Sequence, residues 1–120
     1  ICMQEAAETL LPLAYKNNIG VIIKEPIANA FFLGKPKPDD DNAWQHPTWE
    51  RAQKFLFMKE LTNPSPIQAA LKFVLDHEGV TTAIAATVDL RHFDENVKTS
   101  NLPSLHSELK NKIVHTSSVL

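Results

Sequence analysis

The sequence predicts an α/β fold with parallel strands, and three observations predict it. Two stretches, AYKNNIGVIIKEP and VLDHEGVTTAIAA, share one plan of helix, short turn, Gly-Val and strand. Val21-Ile22-Ile23 is a β-branched run without alternation, which is how a strand covered on both faces reads. Helix-strand-helix-strand order, in turn, joins two parallel strands by a right-handed crossover. Two such strands cannot cover both faces and both edges with the helices of this chain alone, because the outer edges keep unpaired backbone groups. The pair is expected in a larger covered sheet or a closed barrel. Residues 1–120 are therefore read as one partial domain, incomplete on its own, with strands missing on at least one side.

The elements follow in order. Ala7, Leu10, Leu11 and Ala14 fall at helical spacing and predict a helix over 5–17 that kinks or begins near Pro12. Asn17-Asn18 and Gly20 stop it, and Val21–Ile23 is the first strand. A long connection, about 34–64, carries the acidic run Asp39-Asp40-Asp41 and both tryptophans, Trp44 and Trp49. Within it, Ala52, Phe55, Leu56 and Lys59 predict a helix over 48–61 with Thr48 as N-cap. Ser65-Pro66-Ile67-Gln68 reads as a capping box with proline in the first turn. The buried face of that helix is Ile67, Ala70, Leu71, Val74 and Leu75. Gly79 ends it, and Val80 to Ala86 is the second strand. Asp89 caps a helix carrying Leu90, Phe93 and Val97, and Ser104 caps a last one with Leu105, Leu109 and Ile113.

Composition narrows the function classes. Hydrophobic residues make up 43% and charged residues 22%, an ordinary globular balance. A net charge of −2 without a basic patch argues against nucleic-acid binding. No apolar run approaches the roughly 18 residues of a membrane span, and no secretory signal is visible. A single cysteine, Cys2, fits a reducing compartment, so a cytoplasmic protein is expected. Cys2 has no His and Asp beside it in the sequence to make it a nucleophile. The five histidines have no ligand spacing, and the acidic triple lacks the alternation of a calcium loop, so no metal site is expected. The triple reads instead as a solvated tip. Trp44 and Trp49 either roof a site or pack the connection onto the fold.

Three motifs in order carry a family likeness. LLPLAYKNNIGVIIKEPIANAFFLGK, then SPIQAALKFVLDHEGV, then TTAIAATVDLRHFDENV, together about Glu8 to Leu102, resemble the C-terminal third of the aldo-keto reductases. In that family a strand ends in Ser-Pro-Leu-x-x-Gly-x-x-x-Gly-Lys, and a capped helix leads to a last strand and a helix finishing in Glu-Asn. The resemblance implies a (β/α)8 TIM barrel of which this chain supplies the last two parallel strands with their helices. It implies an oxidoreductase using NADP or NAD to reduce a small carbonyl substrate, with the N-terminal part of the barrel as the missing partner.

Carried over by position, the loop after the seventh strand wraps the cofactor pyrophosphate. Glu25 takes the serine position there, Pro26, Ile27, Ala28 and Asn29 follow it, and Lys35 takes the phosphate-neutralising lysine. Ala86, Val88 and His92 take positions approaching the adenosine 2′-phosphate, and Glu95 and Asn96 match the pair that hydrogen-bonds adenine. Small residues let main-chain N–H groups approach phosphate, and the helix opening at Asp89 offers a positive end to an anion.

The departures are specific. Glu25 sets a carboxylate against the pyrophosphate, Ala30 and Ala86 replace glycines, and Ala85 replaces proline. The usual Lys or Arg for the 2′-phosphate is Ala86 or Val88, with Arg91 as a possible substitute. No catalytic residue carries over, since the family's acid and its partners belong to earlier strands and Tyr15 precedes the seventh. Two functions are therefore expected. One is the cofactor-binding segment of a reductase, inactive alone. The alternative is a non-catalytic remnant or interaction module without cofactor binding.

Overall fold

The computed structural model describes residues 1–118. It contains a two-stranded parallel sheet, β1 (Ile22–Ile23) beside β2 (Thr82–Ala83), with Ile22 opposite Thr82 and Ile23 opposite Ala83. The expected parallel pairing is present, but the ladder is much shorter than the predicted 80–86. The Thr81 and Thr82 N–H groups donate to the Val21 carbonyl, and Ile84 donates to Ile23 at 2.9 Å, which closes the ladder. It stops there because β1 runs out. Glu25 turns to a positive φ of 55° and Pro26 has no N–H to donate. The sheet is covered less than its composition predicts, with Ile22 62% exposed in β1 and Ile84, just past β2, 57% exposed.

The first predicted helix divides. A 3₁₀ turn at Glu5–Ala7 precedes α1 (Leu10–Lys16), so Pro12 lies in the first turn, where its missing N–H costs nothing. Leu11 and Ala14 are buried, whereas Leu10 faces water. Gly79 closes the second helix-to-strand turn at φ 95°, and a Cβ there would sit 2.7 Å from the Leu11 carbonyl oxygen. Glycine is required at that point for both reasons.

The long connection is folded. The chain forms a 3₁₀ turn at Asp40–Gln45 and then α2 (His46–Ala52), and narrows to 3₁₀ over Gln53–Glu60. Thr48 therefore lies inside the helix and does not cap it; the N-cap position is Gln45, without a side-chain bond. The narrowing changes the buried stripe. Ala52, Phe55 and Met58 are fully buried at a spacing of three, as a 3₁₀ helix eclipses i and i+3, while Lys59 is exposed. Asp39 accepts from the Asn42 N–H at 3.1 Å, so the acidic run begins as a turn cap at an exposed tip.

Next comes α3 (Pro66–Leu75), which carries the predicted capping box: Ser65 Oγ accepts from Gln68 N–H and Gln68 Oε1 accepts from Ser65 N–H. Its buried residues are Ala69, Ala70, Leu71, Phe73 and Val74. The fourth helix, α4 (Leu90–Lys98), is capped by Asp89 as predicted, and α5 covers Ser107–Ser118. Ser104 does not cap α5. Its hydroxyl donates to Asp76 Oδ1 at 3.2 Å, because that carboxylate at the end of α3 also receives Leu105 N–H and Lys110.

The hydrophobic core gathers α3, the 3₁₀ segments at Ala28–Leu33 and Gln53–Glu60, and Ile113 of α5. Phe32, Phe55, Met58 and Ile113 are completely enclosed. By contrast, α4 contributes no buried residue, and Leu90, Phe93 and Val97 all face outward.

Candidate functional site

Parallel strands end on the same side, so the chain leaving β1 at Lys24 and the chain leaving β2 at Ile84 emerge side by side. The residues that the resemblance assigns to a cofactor lie on the stretches following these exits or on α4. The structure keeps them in two clusters.

The first cluster is the turn after β1. Pro26 and Ala28 are buried, Ile27 is half-buried, and Glu25 and Asn29 are exposed. Ala28, Asn29 and Ala30 follow one another at φ 46°, 53° and 58°, a left-handed turn built without glycine. Each such residue costs on the order of 1 kcal/mol for its Cβ, and enclosure of Phe31 and Phe32 just beyond holds the turn in place. Lys35 reaches back, its Nζ donating to the Asn29 carbonyl at 2.9 Å, so residues 29 and 35 do meet. Trp49 Nε1 donates to the Lys35 carbonyl at 2.9 Å, and Lys37 stacks over the same ring. Trp49 thus packs the connection onto the turn, while Trp44 projects from the fold. Glu25 lies 3.9 Å from Lys24 in a loose exposed pair.

The second cluster follows β2. Ala86, Val88 and His92 are exposed, and Glu95 and Asn96 are half-buried one helical turn further on. Asn96 Nδ2 donates to the Ala85 carbonyl at 3.4 Å, which ties the helix to the strand exit. Its Oδ1 is buried with no donor. Glu95 is engaged elsewhere, its carboxylate accepting from the Ser65 hydroxyl and its main-chain oxygen from Thr99 Oγ1 at 3.0 Å. Ser65 and Gln68 were legible as a capping box, but nothing in the sequence signalled that a carboxylate thirty residues away closes on it. Asp89 is held down to about 2 by the Arg91 side-chain hydrogen bond, then by the Arg91 N–H.

A cavity of about 260 Å³ opens beneath the first turn, lined in part by Ile23, Glu25, Ala28, Phe73 and Cys2. Its walls are mainly apolar and Asn96 is not among them, so the second cluster lies outside this cavity. Burial pushes the Cys2 thiol up, away from a reactive thiolate. Tyr15 is exposed on α1, and its hydroxyl is pushed up by a hydrogen bond to Glu78. Among the described residues no group of His, Cys, Asp and Glu could hold a metal ion, and no helix is long and apolar enough to cross a membrane.

The family model of the Aldo/keto reductase family matches residues 1–115. The chain belongs to this family. No curated protein matches the chain. Membership in the aldo/keto reductase family supports an oxidoreductase. The family commonly uses NAD(P)H, and the residues here can be tested for their fit to it. Asn96 Oδ1 is an unsatisfied acceptor of the kind an exocyclic amine would complete, and an unpaired buried acceptor costs about 1–3 kcal/mol. At the first turn Ala28 and Ala30 are buried and their N–H groups donate to the Glu25 and Ile27 carbonyls, at 3.2 and 2.8 Å, while Lys35 is engaged on the Asn29 carbonyl. Glu25 is the one group that opposes an anion at this turn. Asn96 is thus the one feature of the set with the chemistry of a nucleotide contact left open, whereas the first turn sets Lys35 against Glu25.

Proposed function

We propose that this chain forms the dinucleotide-holding end of an NAD(P)H-dependent aldo-keto reductase acting on aldehydes or ketones. Strands β1 and β2 are then the last two staves of a (β/α)8 barrel, whose sites lie at the C-terminal strand ends. The remaining strands come from a preceding part of the protein, and the protein works in the cytoplasm. The bound nicotinamide supplies the hydride; the residues of this chain bind and orient.

The observation that carries this reading is the donorless Asn96 Oδ1 beside the exit of β2. Its amide is held only by a 3.4 Å bond to Ala85, longer than a good N–H···O bond of about 2.9–3.0 Å, so it can turn outward to an adenine amine. Lys35, swinging off the Asn29 carbonyl, meets the pyrophosphate beside the turn at Ala28–Ala30, and Pro26 and Ile27 fix that turn. Ala86, Val88 and His92 border the adenosine ribose. Glu95, kept on Ser65, orients α4 and leaves the adenine to Asn96. No residue of this chain acts as the proton donor, and the 120 residues have no reductase activity alone.

The alternative, a remnant that has lost the cofactor, is favoured by two specific features: the Glu25 carboxylate and the engagement of Glu95. Titrating the full gene product with NADPH and NADH, read by nucleotide fluorescence, separates the two. Binding that weakens about tenfold in Asn96→Ala, roughly the loss of one good hydrogen bond in a dry site, is the expected result. No binding of either nucleotide selects the remnant.

A further inference from the structure

Away from the strand ends, another cavity of about 530 Å³ opens between the turn that follows the 3₁₀ segment at Gln53–Glu60 and the start of α5. Its size suits one small molecule. Leu61, Pro64, Leu102 and Leu109 wall it, and each is only half-buried, so apolar surface is left facing water inside a hollow. All of its lining comes from 57–64 and 102–112, so it shares no residue with either cluster at the strand ends.

The charge in this cavity is placed in an unusual way. Lys112 stands one helical turn after Glu108, the i,i+4 spacing at which Asp94 and Lys98 pair on α4. On α5 the corresponding pair does not form. The Lys112 ammonium lies instead 4.1 Å from the centroid of the Phe57 ring, and among the described residues it has no carboxylate partner. A ring face offsets only part of a charge, and an ammonium seated on it keeps N–H donors directed away from the ring. The cavity therefore joins an uncompensated cation, steadied by an aromatic ring, to apolar walls. Glu108, exposed in the first turn of α5, is the one carboxylate in the lining, and His106 adds an exposed imidazole.

We propose that this cavity binds a small carboxylic acid with an apolar tail, its carboxylate on Lys112 and its tail against Leu61, Leu102 and Leu109. Such an acid gives Lys112 a counter-charge without taking it off Phe57, and it removes from water the apolar side chains of the hollow. A neutral molecule with the same tail gains only the second of these, and a bare anion only the first. The site is independent of the dinucleotide reading, since the two have no residue in common.

The test is a set of NMR titrations of the full gene product with octanoate and with octanol, which share a tail and differ in the head group. The wild type is expected to bind octanoate about fivefold tighter than octanol, the scale of one exposed ion pair. Lys112→Gln is expected to bring octanoate down to the octanol level and to leave octanol unchanged. Lys112→Arg is expected to keep the difference, because a guanidinium also stacks on a ring and binds a carboxylate. Glu108→Gln, which removes the opposing charge, is expected to tighten octanoate about twofold. Both positions are exposed, so the fold tolerates these changes. Equal affinity of the wild type for acid and alcohol overturns the proposal, as does octanoate bound equally well by Lys112→Gln, which puts the acid elsewhere on the molecule. No octanoate binding to the wild type overturns it too, and each of these results leaves the dinucleotide reading standing.

Discussion

The helical side of the molecule and the sheet side were made by different rules. On the helical side, α3, the two long 3₁₀ segments and α5 enclose Phe32, Phe55, Met58 and Ile113 completely. On the sheet side, β1 carries Ile22 and the exit of β2 carries Ile84 largely in water, and α4 turns Leu90, Phe93 and Val97 outward. The same chain thus holds a finished core next to an unfinished one. Stability is concentrated in the first region. Of the residues proposed to touch a dinucleotide, those on α4 lie in the second region, where fewer apolar contacts hold the backbone, whereas Ala28–Ala30 open an enclosed 3₁₀ segment of the first.

The largest expected effect tests that division directly. Phe55→Ala removes a fully enclosed ring and is expected to cost about 3–5 kcal/mol. Ile84→Ala removes a side chain already 57% exposed and is expected to change stability by no more than about 0.5 kcal/mol. Denaturant unfolding of both variants of the 120-residue chain gives the comparison. Similar losses would mean that the sheet is covered in solution, by a second copy or by rearrangement, and the contrast between the regions would fail.

An intermediate effect is expected at the seam that fastens α5. Asp76 receives Lys72 at 3.4 Å, Lys110 at 2.9 Å and the Leu105 N–H at 3.0 Å. Burial pushes its carboxyl up, and the Lys110 hydrogen bond, the Leu105 N–H and the two ammonium charges together bring it below the usual range. A carboxyl lowered by folding stabilises the fold above the unfolded value, and that contribution disappears as pH falls through the folded value. Asp76→Asn is expected to cost about 2 kcal/mol at pH 7, the scale of hydrogen bonds to a charged group. The difference from wild type should close as the pH drops below the unfolded carboxylate range, near 3.8. Unfolding curves from pH 7 downward read this. A gap independent of pH would reduce Asp76 to a packing residue.

What the sequence made legible follows the same line. The parallel pairing, the Ser65–Gln68 box and the Asp89 cap rest on local rules, and the structure has all three. The predicted strand length was wrong because Val80 to Ala86 has strand composition, but pairing is limited by the shorter partner, and β1 ends at Ile23, two residues before the turn at Glu25. Thr48 was misread as a cap because the 52–58 stripe was given helical spacing, whereas its buried members repeat every three residues. Ser104 was misread because its partner, Asp76, lies 28 residues away. At the candidate site, residue types and their order were legible. Which acceptor lacks a donor, and which carboxylate is already engaged, depended on contacts between distant segments.

The smallest expected effect separates backbone strain from packing within the turn that joins the two regions. Glu25 and Ala30 both hold a positive φ, at 55° and 58°, but Ala30 is buried and Glu25 is exposed. Replacing either with glycine removes a Cβ penalty of about 1–2 kcal/mol. Against that, glycine adds unfolded-state freedom worth about 0.5–1 kcal/mol. At Ala30 the lost methyl costs about another 0.8 kcal/mol, so Ala30→Gly is expected to be close to neutral. At Glu25 nothing buried is lost, and the exposed pair with Lys24 contributes little. Glu25→Gly is therefore expected to raise stability by about 0.5 kcal/mol. It also removes the one carboxylate that opposes the pyrophosphate, so nucleotide affinity should rise with stability. A stabilised variant with unchanged affinity would place the pyrophosphate away from this turn. A destabilised one would mean that the chain does not hold the left-handed geometry at Glu25 in solution, and that the strand exit is as loose as the sheet behind it.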